Sequence, residues 1–213
     1  MSFKSLSIAG AALLALSGTS QAVTNGFANG GFENVGTTTP AASWLQAASG
    51  YTRSTDARTG SFSAQLSSPL FNAAVMLQNS VDQGNLPPLT VGDVPAFSFW
   101  AKGTAGPSGN ALFALRYLDG TGNILANSGN QFFHTLINPT AWTKITYTIL
   151  GGVPVGATAA FVEFSQGKGD LGPLGVVLVD DVILGVVPEP GTYALLLAGL
   201  AVVGVMAKRR RAA

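Results

Sequence analysis

The middle of the chain predicts an all-β fold, an antiparallel β-sandwich. Apolar and polar residues alternate over short runs, most clearly in Ala96–Lys102, where Phe97 and Phe99 share one face and Trp100 lies on the other. Turn-forming pairs such as Asp119-Gly120 separate these runs at short intervals. A parallel sheet would need a helix-sized crossover between its strands, and the sequence shows no such segment. Many short strands with this spacing indicate two packed antiparallel sheets.

Ten segments carry the strand pattern, and together they define a predicted domain over residues 23–186. In chain order the predicted strands are Gly26–Glu33, Trp44–Ser54, Ser61–Ser67, Ala73–Val81, Ala96–Lys102, Ala111–Asp119, Ile124–Leu136, Trp142–Leu150, Ala157–Gln166 and Val176–Leu184.

The first 22 residues read as a secretory signal peptide. Lys4 supplies a positive start, Leu6–Leu16 is an apolar run, and Ser20-Gln21-Ala22 is a small-x-small cleavage sequence, so we expect cleavage after Ala22. The apolar run is shorter than the roughly 20 residues that cross a bilayer. An uncleaved anchor or a buried helix is the alternative.

The other end, residues 187–213, has the features of a second targeting segment. Pro188, Glu189 and Pro190 interrupt regular structure, residues 192–207 form an uncharged and mainly apolar stretch, and residues 208–211 are all basic. The stretch approaches the length of a transmembrane helix, and a basic cluster after it stays on the cytoplasmic side. If the N-terminal signal directs export, this orientation leaves the middle of the chain outside the inner membrane.

The order of these three features resembles the PEP-CTERM sorting signal of bacteria that have an exosortase. The resemblance implies that an exosortase-type processing enzyme recognises Pro188-Glu189-Pro190 and removes the tail. It also implies an inner-membrane intermediate and delivery to the cell surface or to an exopolysaccharide matrix. The same segment is described as an ice-binding protein C-terminal region, but the chain has no regular Thr-x-Thr array to match ice. An ordinary C-terminal anchor is the alternative.

Charge and cysteine content narrow the function of the central region. Residues 23–187 hold six basic and nine acidic residues, a net charge of −3, and the basic pI of the whole chain comes from its ends. Nucleic-acid binding requires clustered basic residues, so we expect no nucleic-acid partner. The chain has no cysteine and therefore no disulfide framework.

The central region also resembles the jelly-roll carbohydrate-binding modules of galactose-binding-like fold. The resemblance spans nearly all of this region, although it does not identify a ligand. It rests on the order of six marks: Asn29-Gly30-Gly31-Phe32-Glu33, Trp44, Arg58-Thr59-Gly60-Ser61-Phe62-Ser63-Ala64, Phe97-Ser98-Phe99-Trp100-Ala101-Lys102, Pro154-Val155-Gly156-Ala157 and Val179-Asp180-Asp181-Val182.

This resemblance implies two kinds of site. In the family an opening acidic residue and a closing acidic pair often hold a structural calcium ion, which carries over to Glu33 and Asp181 as oxygen ligands. Aromatic side chains that stack on sugars are the second kind. The candidates are Trp44, Trp100 and Trp142, helped by Tyr51 or Tyr117, with Arg116 and Gln166 as partners for hydroxyl groups. Trp100 is preferred because it shares a face with Ser98 and Lys102. Packing in the core is the alternative for each aromatic residue.

Catalytic patterns are weak. Asp180 and Asp181 are adjacent, and neighbouring strand residues point to opposite faces, so this pair is not expected to flank one bond. Glu163 with either aspartate is a further combination without supporting spacing. His134 is the only histidine, no Gly-x-Ser-x-Gly sequence accompanies it, and the Gly-x-Gly-x-x-Gly match at 167–172 precedes no helix. We therefore expect no enzyme and no required cofactor. A purely structural matrix protein and, less favoured, a glycan hydrolase are the alternatives.

Overall fold

The computed structural model describes residues 25–67, 73–80, 91–92, 94–106, 109–148, 152–167, 175–186 and 200. The predicted signal peptide lies outside these residues. So does the predicted sorting tail, apart from Leu200. In the described part of the chain, no helix combines the length and the hydropathy needed to cross a membrane.

Eleven strands form two antiparallel sheets in the described residues, which confirms the predicted all-β sandwich. Sheet I has the order β1-β4-β10-β6-β7, with β8 paired to β6, and sheet II has the order β2-β3-β11-β5-β9. The strands are β1 Leu45–Ala48, β2 Tyr51–Ser54, β3 Ser63–Leu66, β4 Ala74–Asn79, β5 Pro95–Gly103, β6 Asn110–Leu118, β7 Ile124–Asn127, β8 Gln131–Phe132, β9 Thr143–Thr148, β10 Ala159–Gly167 and β11 Val177–Val186.

The core between the sheets is built mainly from aromatic rings. Phe97 and Phe99 point inward from β5, as the alternation predicts, and meet Phe113 of β6 with centroids 5.1 and 5.4 Å away. Phe164 of β10 lies 4.9 Å from Phe99 in an edge-to-face arrangement. Such contacts between rings add to the free energy gained by burying their area. The two sheets are thus joined by one continuous aromatic cluster.

Three predicted strands differ from the observed ones. Gly26–Glu33 is wrong as a strand: it forms turns, with Asn29 at φ 49° and Phe32 at φ 57° in the left-handed region. Trp44–Ser54 is split into β1 and β2, which belong to different sheets. The chain turns between them at Gly50, which has a positive φ of 96°. Ile124–Leu136 is split into β7 and β8.

Candidate functional site

The sandwich has two outward faces, and the predicted sugar-binding residues divide between them. Arg116 projects from β6 on sheet I, because its neighbours Leu115 and Tyr117 point into the core. Trp100 belongs to β5 of sheet II, where it alternates with inward-facing residues, and Trp142 directly precedes β9 of the same sheet. The structure therefore brings the two tryptophans to one surface and separates both from Arg116.

On sheet I, Arg116 is part of a row of side chains that crosses four strands. In register order the row is Asn79, Phe161, Arg116 and Asn127. The Arg116 guanidinium carbon lies 5.1 Å from the centre of the Phe161 ring. Its Nη1 is 3.3 Å from Oε2 of Glu163, which projects two residues further along β10. We call Asn79, Phe161, Arg116, Asn127 and Glu163 the Arg116 face.

The Arg116 face is half-buried and polar with an aromatic centre. The side chains of Arg116 and Glu163 are 23% and 28% exposed, so both remain in contact with solvent while the sheet holds them in place. Phe161 is half-buried. At Asn79 the face adjoins a cavity of about 230 Å³, whose lining includes Asp119 and Thr158. Planar polar groups beside an aromatic ring can bind hydroxyl groups and an apolar surface of one ligand.

On sheet II, both tryptophans lie under cations. Arg58 places its guanidinium carbon 4.0 Å above the Trp100 ring, and the Lys102 ammonium lies 5.6 Å from the Trp142 ring. Lys102 is also paired with Asp56 at 2.6 Å. A cation over an indole is an attractive contact, so the covered face of Trp100 is not available for a sugar without displacing Arg58. Trp100 and Trp142 are both half-buried, and the cation lies farther from the Trp142 ring than from the Trp100 ring.

A shallow groove runs beside this pair on sheet II. Its volume is about 330 Å³. One part of its wall is the Asp56–Lys102 ion pair. The rest is formed by Gly103, Thr104, Pro139, Val176 and Leu178. This groove is the second surface on which an extended ligand could lie.

The other predicted sugar contacts are in the core. Trp44 is fully buried, lies 5.0 Å from Phe32, and its Nε1 donates a hydrogen bond to the Asn29 carbonyl at 3.0 Å. Tyr51 and Tyr117 are also buried, and burial raises the pKa of both phenols well above their usual range. Gln166 is inaccessible and donates to the Gly175 carbonyl. None of these four side chains can reach a ligand on the surface.

The closing acidic pair lies at a bulge in β11, between Asp180 and Ile183. Asp181 has φ 48°, which turns its side chain so that both carboxylates reach the loop at Arg58 and Thr59. The expectation that the two aspartates point to opposite faces is therefore wrong here, because a bulge breaks the alternation. Asp180 is inaccessible, and burial raises its pKa to about 6 despite hydrogen bonds from the backbone.

Calcium does not fit the observed arrangement of these acids. Both oxygens of Glu33 accept the Ser61 N–H, at 3.0 and 3.2 Å. Asp181 accepts the Arg58 guanidinium at 2.7 Å and the Thr59 hydroxyl at 2.6 Å. Calcium needs six to eight oxygen ligands with lone pairs directed at it. The described residues contain no group of three acidic, histidine or cysteine side chains that could hold a metal ion.

Within the described residues, Glu163 is separated from both aspartates that were considered as its catalytic partners. Glu163 lies on sheet I and is bound to Arg116, whereas Asp180 and Asp181 lie on sheet II. His134, half-buried after β8, has an Nδ1 without a hydrogen-bond partner in the described structure, and its ring contacts Phe132 at 5.9 Å. No nucleophile–base–acid contact links this histidine to a described acid.

Comparison with known proteins identifies the tail. Residues 186–211 carry a PEP-CTERM protein-sorting motif. The predicted motif Pro188-Glu189-Pro190 falls inside this match, and the sorting signal implies an exported chain that is held transiently in the membrane. The search of curated protein sequences found no match to this chain.

Solved structures resemble the sandwich. The enzymatically active domain of tailspike protein 4 from bacteriophage CBA120 matches with a TM-score of 0.56 and 26% identity, over 77% of this chain and 22% of the tailspike chain. The chain thus spans about a fifth of that protein. The CBM22-1 xylan-binding domain of Paenibacillus barcinonensis Xyn10C matches with a TM-score of 0.49 and 14% identity, over 75% of this chain and 92% of that chain. The carbohydrate-binding module TmCBM61, solved with β-1,4-galactotriose, gives a TM-score of 0.48 and 15% identity, covering 76% and 99%.

Sequence reasoning missed the centre of the Arg116 face. Phe161 and Glu163 lie two residues apart on a strand, and their alternation with Val162 and Phe164 already placed them on the outward side of β10. Their pairing with Arg116 depends on the register of β10 against β6, which the sequence does not reveal.

Proposed function

We propose that this chain is an exported, exosortase-processed protein of the cell surface or extracellular matrix whose β-sandwich binds polysaccharide without catalysis. The sorting motif at 186–211 supports the export and processing part. The Arg116 face is the observation that carries the binding part.

The processing part has a direct test. Intact-mass spectrometry of the protein recovered from cell-surface and medium fractions should give a mass that lacks both Met1–Ala22 and the tail beyond the Pro188-Glu189-Pro190 motif. A protein found only in membranes with residues 193–213 still attached would contradict processing.

The Arg116 face suits a sugar chain for three physical reasons. Arg116 lies over one face of the Phe161 ring, so the remaining exposed apolar part of this half-buried ring is what can contact sugar C–H groups, and an aromatic ring gains free energy from such burial. Arg116 provides several N–H donors in a fixed plane, and Glu163 and Asn127 add an acceptor and an amide group for hydroxyls. The ion pair of 3.3 Å and the flanking strands restrain these side chains before a ligand arrives, which lowers the entropy lost on binding.

A non-catalytic role agrees with how the acids are used. Glu163 neutralises Arg116, and Asp180 and Asp181 hold the loop at Arg58 and Thr59. A glycosidase needs two carboxyl groups on either side of one bond. Glu163, Asp180 and Asp181 each already bind a partner within the fold.

Affinity electrophoresis in gels that contain single polysaccharides, neutral and acidic, tests the binding part. We expect at least one polysaccharide to retard the protein, and expect Phe161→Ala and Arg116→Ala each to weaken the interaction about tenfold, equivalent to ~1.4 kcal/mol. Trp142→Ala is the matched control, since it removes a half-buried aromatic ring from the opposite sheet. Loss of binding in Trp142→Ala alone would move the site to the groove beside Lys102. No retardation by any polysaccharide would favour a purely structural protein.

A further inference from the structure

The loop that contains Arg58 and Thr59 packs on the bulge of β11. Arg58, in this loop, is fixed from two directions. Its Nη1 lies 2.7 Å from Oδ2 of Asp181, and its guanidinium carbon lies 4.0 Å above the Trp100 ring. An arginine does not lose its charge in proteins, so this contact places a permanent positive charge beside the Asp181 carboxylate.

The same loop satisfies the other carboxylates through donors of its own. Asp180 Oδ2 accepts the backbone N–H of Arg58 at 2.8 Å and of Thr59 at 3.3 Å. Glu33 Oε1 accepts the N–H groups of Ser61 and Phe62, both at 3.0 Å. Hydrogen bonds to a carboxylate are charge-assisted and therefore stronger than those between neutral groups.

Glycine at position 60 keeps the loop close to Glu33. Gly60 has φ 65°, and a Cβ atom there would lie 2.4 Å from Glu33 Oε1, closer than any real contact. Gly31 also lies close to the acids, since a Cβ atom there would be 3.9 Å from Oδ1 of both Asp180 and Asp181. The three acids therefore surround one compact loop, and the loop approaches them with hydrogen-bond donors.

We propose that the guanidinium of Arg58 supplies at this position the positive charge that the family resemblance assigns to calcium, so that the fold is held without a metal ion. The proposal follows from what each oxygen contacts: a cation bound to Asp181 would have to displace Arg58 from both its carboxylate and its indole.

Calcium dependence of the full-length protein in detergent tests this proposal. Melting temperatures in calcium chloride and in EDTA should agree within error, and elemental analysis after dialysis should find no stoichiometric calcium. One calcium per chain, or a lower melting temperature in EDTA, would overturn it.

Variants at Arg58 test the role of the guanidinium itself. Arg58→Gln should lower the melting temperature in EDTA, and Arg58→Lys, which keeps the charge but not the planar fork, should lower it less. Arg53→Gln is the control, because Arg53 also stacks on a ring, at 3.6 Å from Phe62, but donates to the Glu33 carbonyl rather than to a carboxylate. An Arg58→Gln protein that melts with the wild type would contradict the proposal. If Arg58→Gln does not fold, the calcium measurement on the wild type still decides.

Discussion

Replacing Trp44 by phenylalanine tests the assignment of this residue to the core. Trp44 is fully buried against Phe27, Phe32 and Phe164, with centroid distances of 6.4, 5.0 and 6.2 Å. The change removes two ring carbons and the indole nitrogen, and the two carbons are worth about 2 kcal/mol at ~0.8 kcal/mol for each buried carbon. It also removes the hydrogen bond to the Asn29 carbonyl. That carbonyl still accepts the Phe32 N–H, so this loss adds only about 1 kcal/mol.

The expected cost of Trp44→Phe is therefore about 3 kcal/mol, a large part of the roughly 5–15 kcal/mol that stabilises a typical domain. Urea unfolding of the mature protein, followed by far-ultraviolet circular dichroism, should show the midpoint falling by about 1.5 M for a slope near 2 kcal/mol/M. Trp142→Phe, on the outer face of sheet II, should stay within about 0.5 kcal/mol of the wild type. Equal stability of Trp44→Phe and wild type would refute the core assignment and restore Trp44 as a sugar contact.

Three further changes probe the turns and the bulge. Gly60→Ala should lower the melting temperature in calorimetry, because the added carbon meets Glu33 and φ is positive; full stability would contradict the loop geometry. Asp180→Asn should shift the urea midpoint downward, because an amide group replaces one oxygen that accepts backbone N–H groups, and an unchanged midpoint would argue against these bonds. Hydrogen bonds from Thr121 and Asn123 hold the pKa of Asp119 well below its usual range. The protection of β7 amides from hydrogen exchange should therefore be present above the ordinary carboxyl pKa of about 4 and should fall as the pH drops towards the lowered value. The Asp119→Ala variant should show no such pH response.

Much of the fold follows from patterns that the sequence contains. The alternation in β5 predicts Phe97 and Phe99 as core residues, and the structure places both rings in the central cluster. The failed strand at Gly26–Glu33 shows the limit of this reasoning. Phe27 and Phe32 are both buried, yet the chain between them turns through Asn29, Gly30 and Gly31. Asn29-Gly30 is a turn signal in the sequence, whereas the two flanking phenylalanines are equally compatible with a strand.

The candidate site was harder to predict because sheet membership is not encoded in one strand. Arg116 and Trp100 both lie on strands whose alternate residues enter the core, but β6 and β5 belong to different sheets. Asp180 and Asp181 show a second cause. Their shared contact with Arg58 and Thr59 depends on a bulge, and strict alternation along the strand predicts the opposite geometry.

The outer face of sheet I is proposed to bind a sugar chain. Chemical-shift mapping of the isotope-labelled mature protein, titrated with oligosaccharides from a polysaccharide that retards it, locates the bound sugar. We expect the largest changes at the amides of Phe161 and Glu163 and at the Arg116 side chain, with little change at Trp142. Largest changes at Lys102 and Trp142 on sheet II, or changes spread evenly over both sheets, would contradict it.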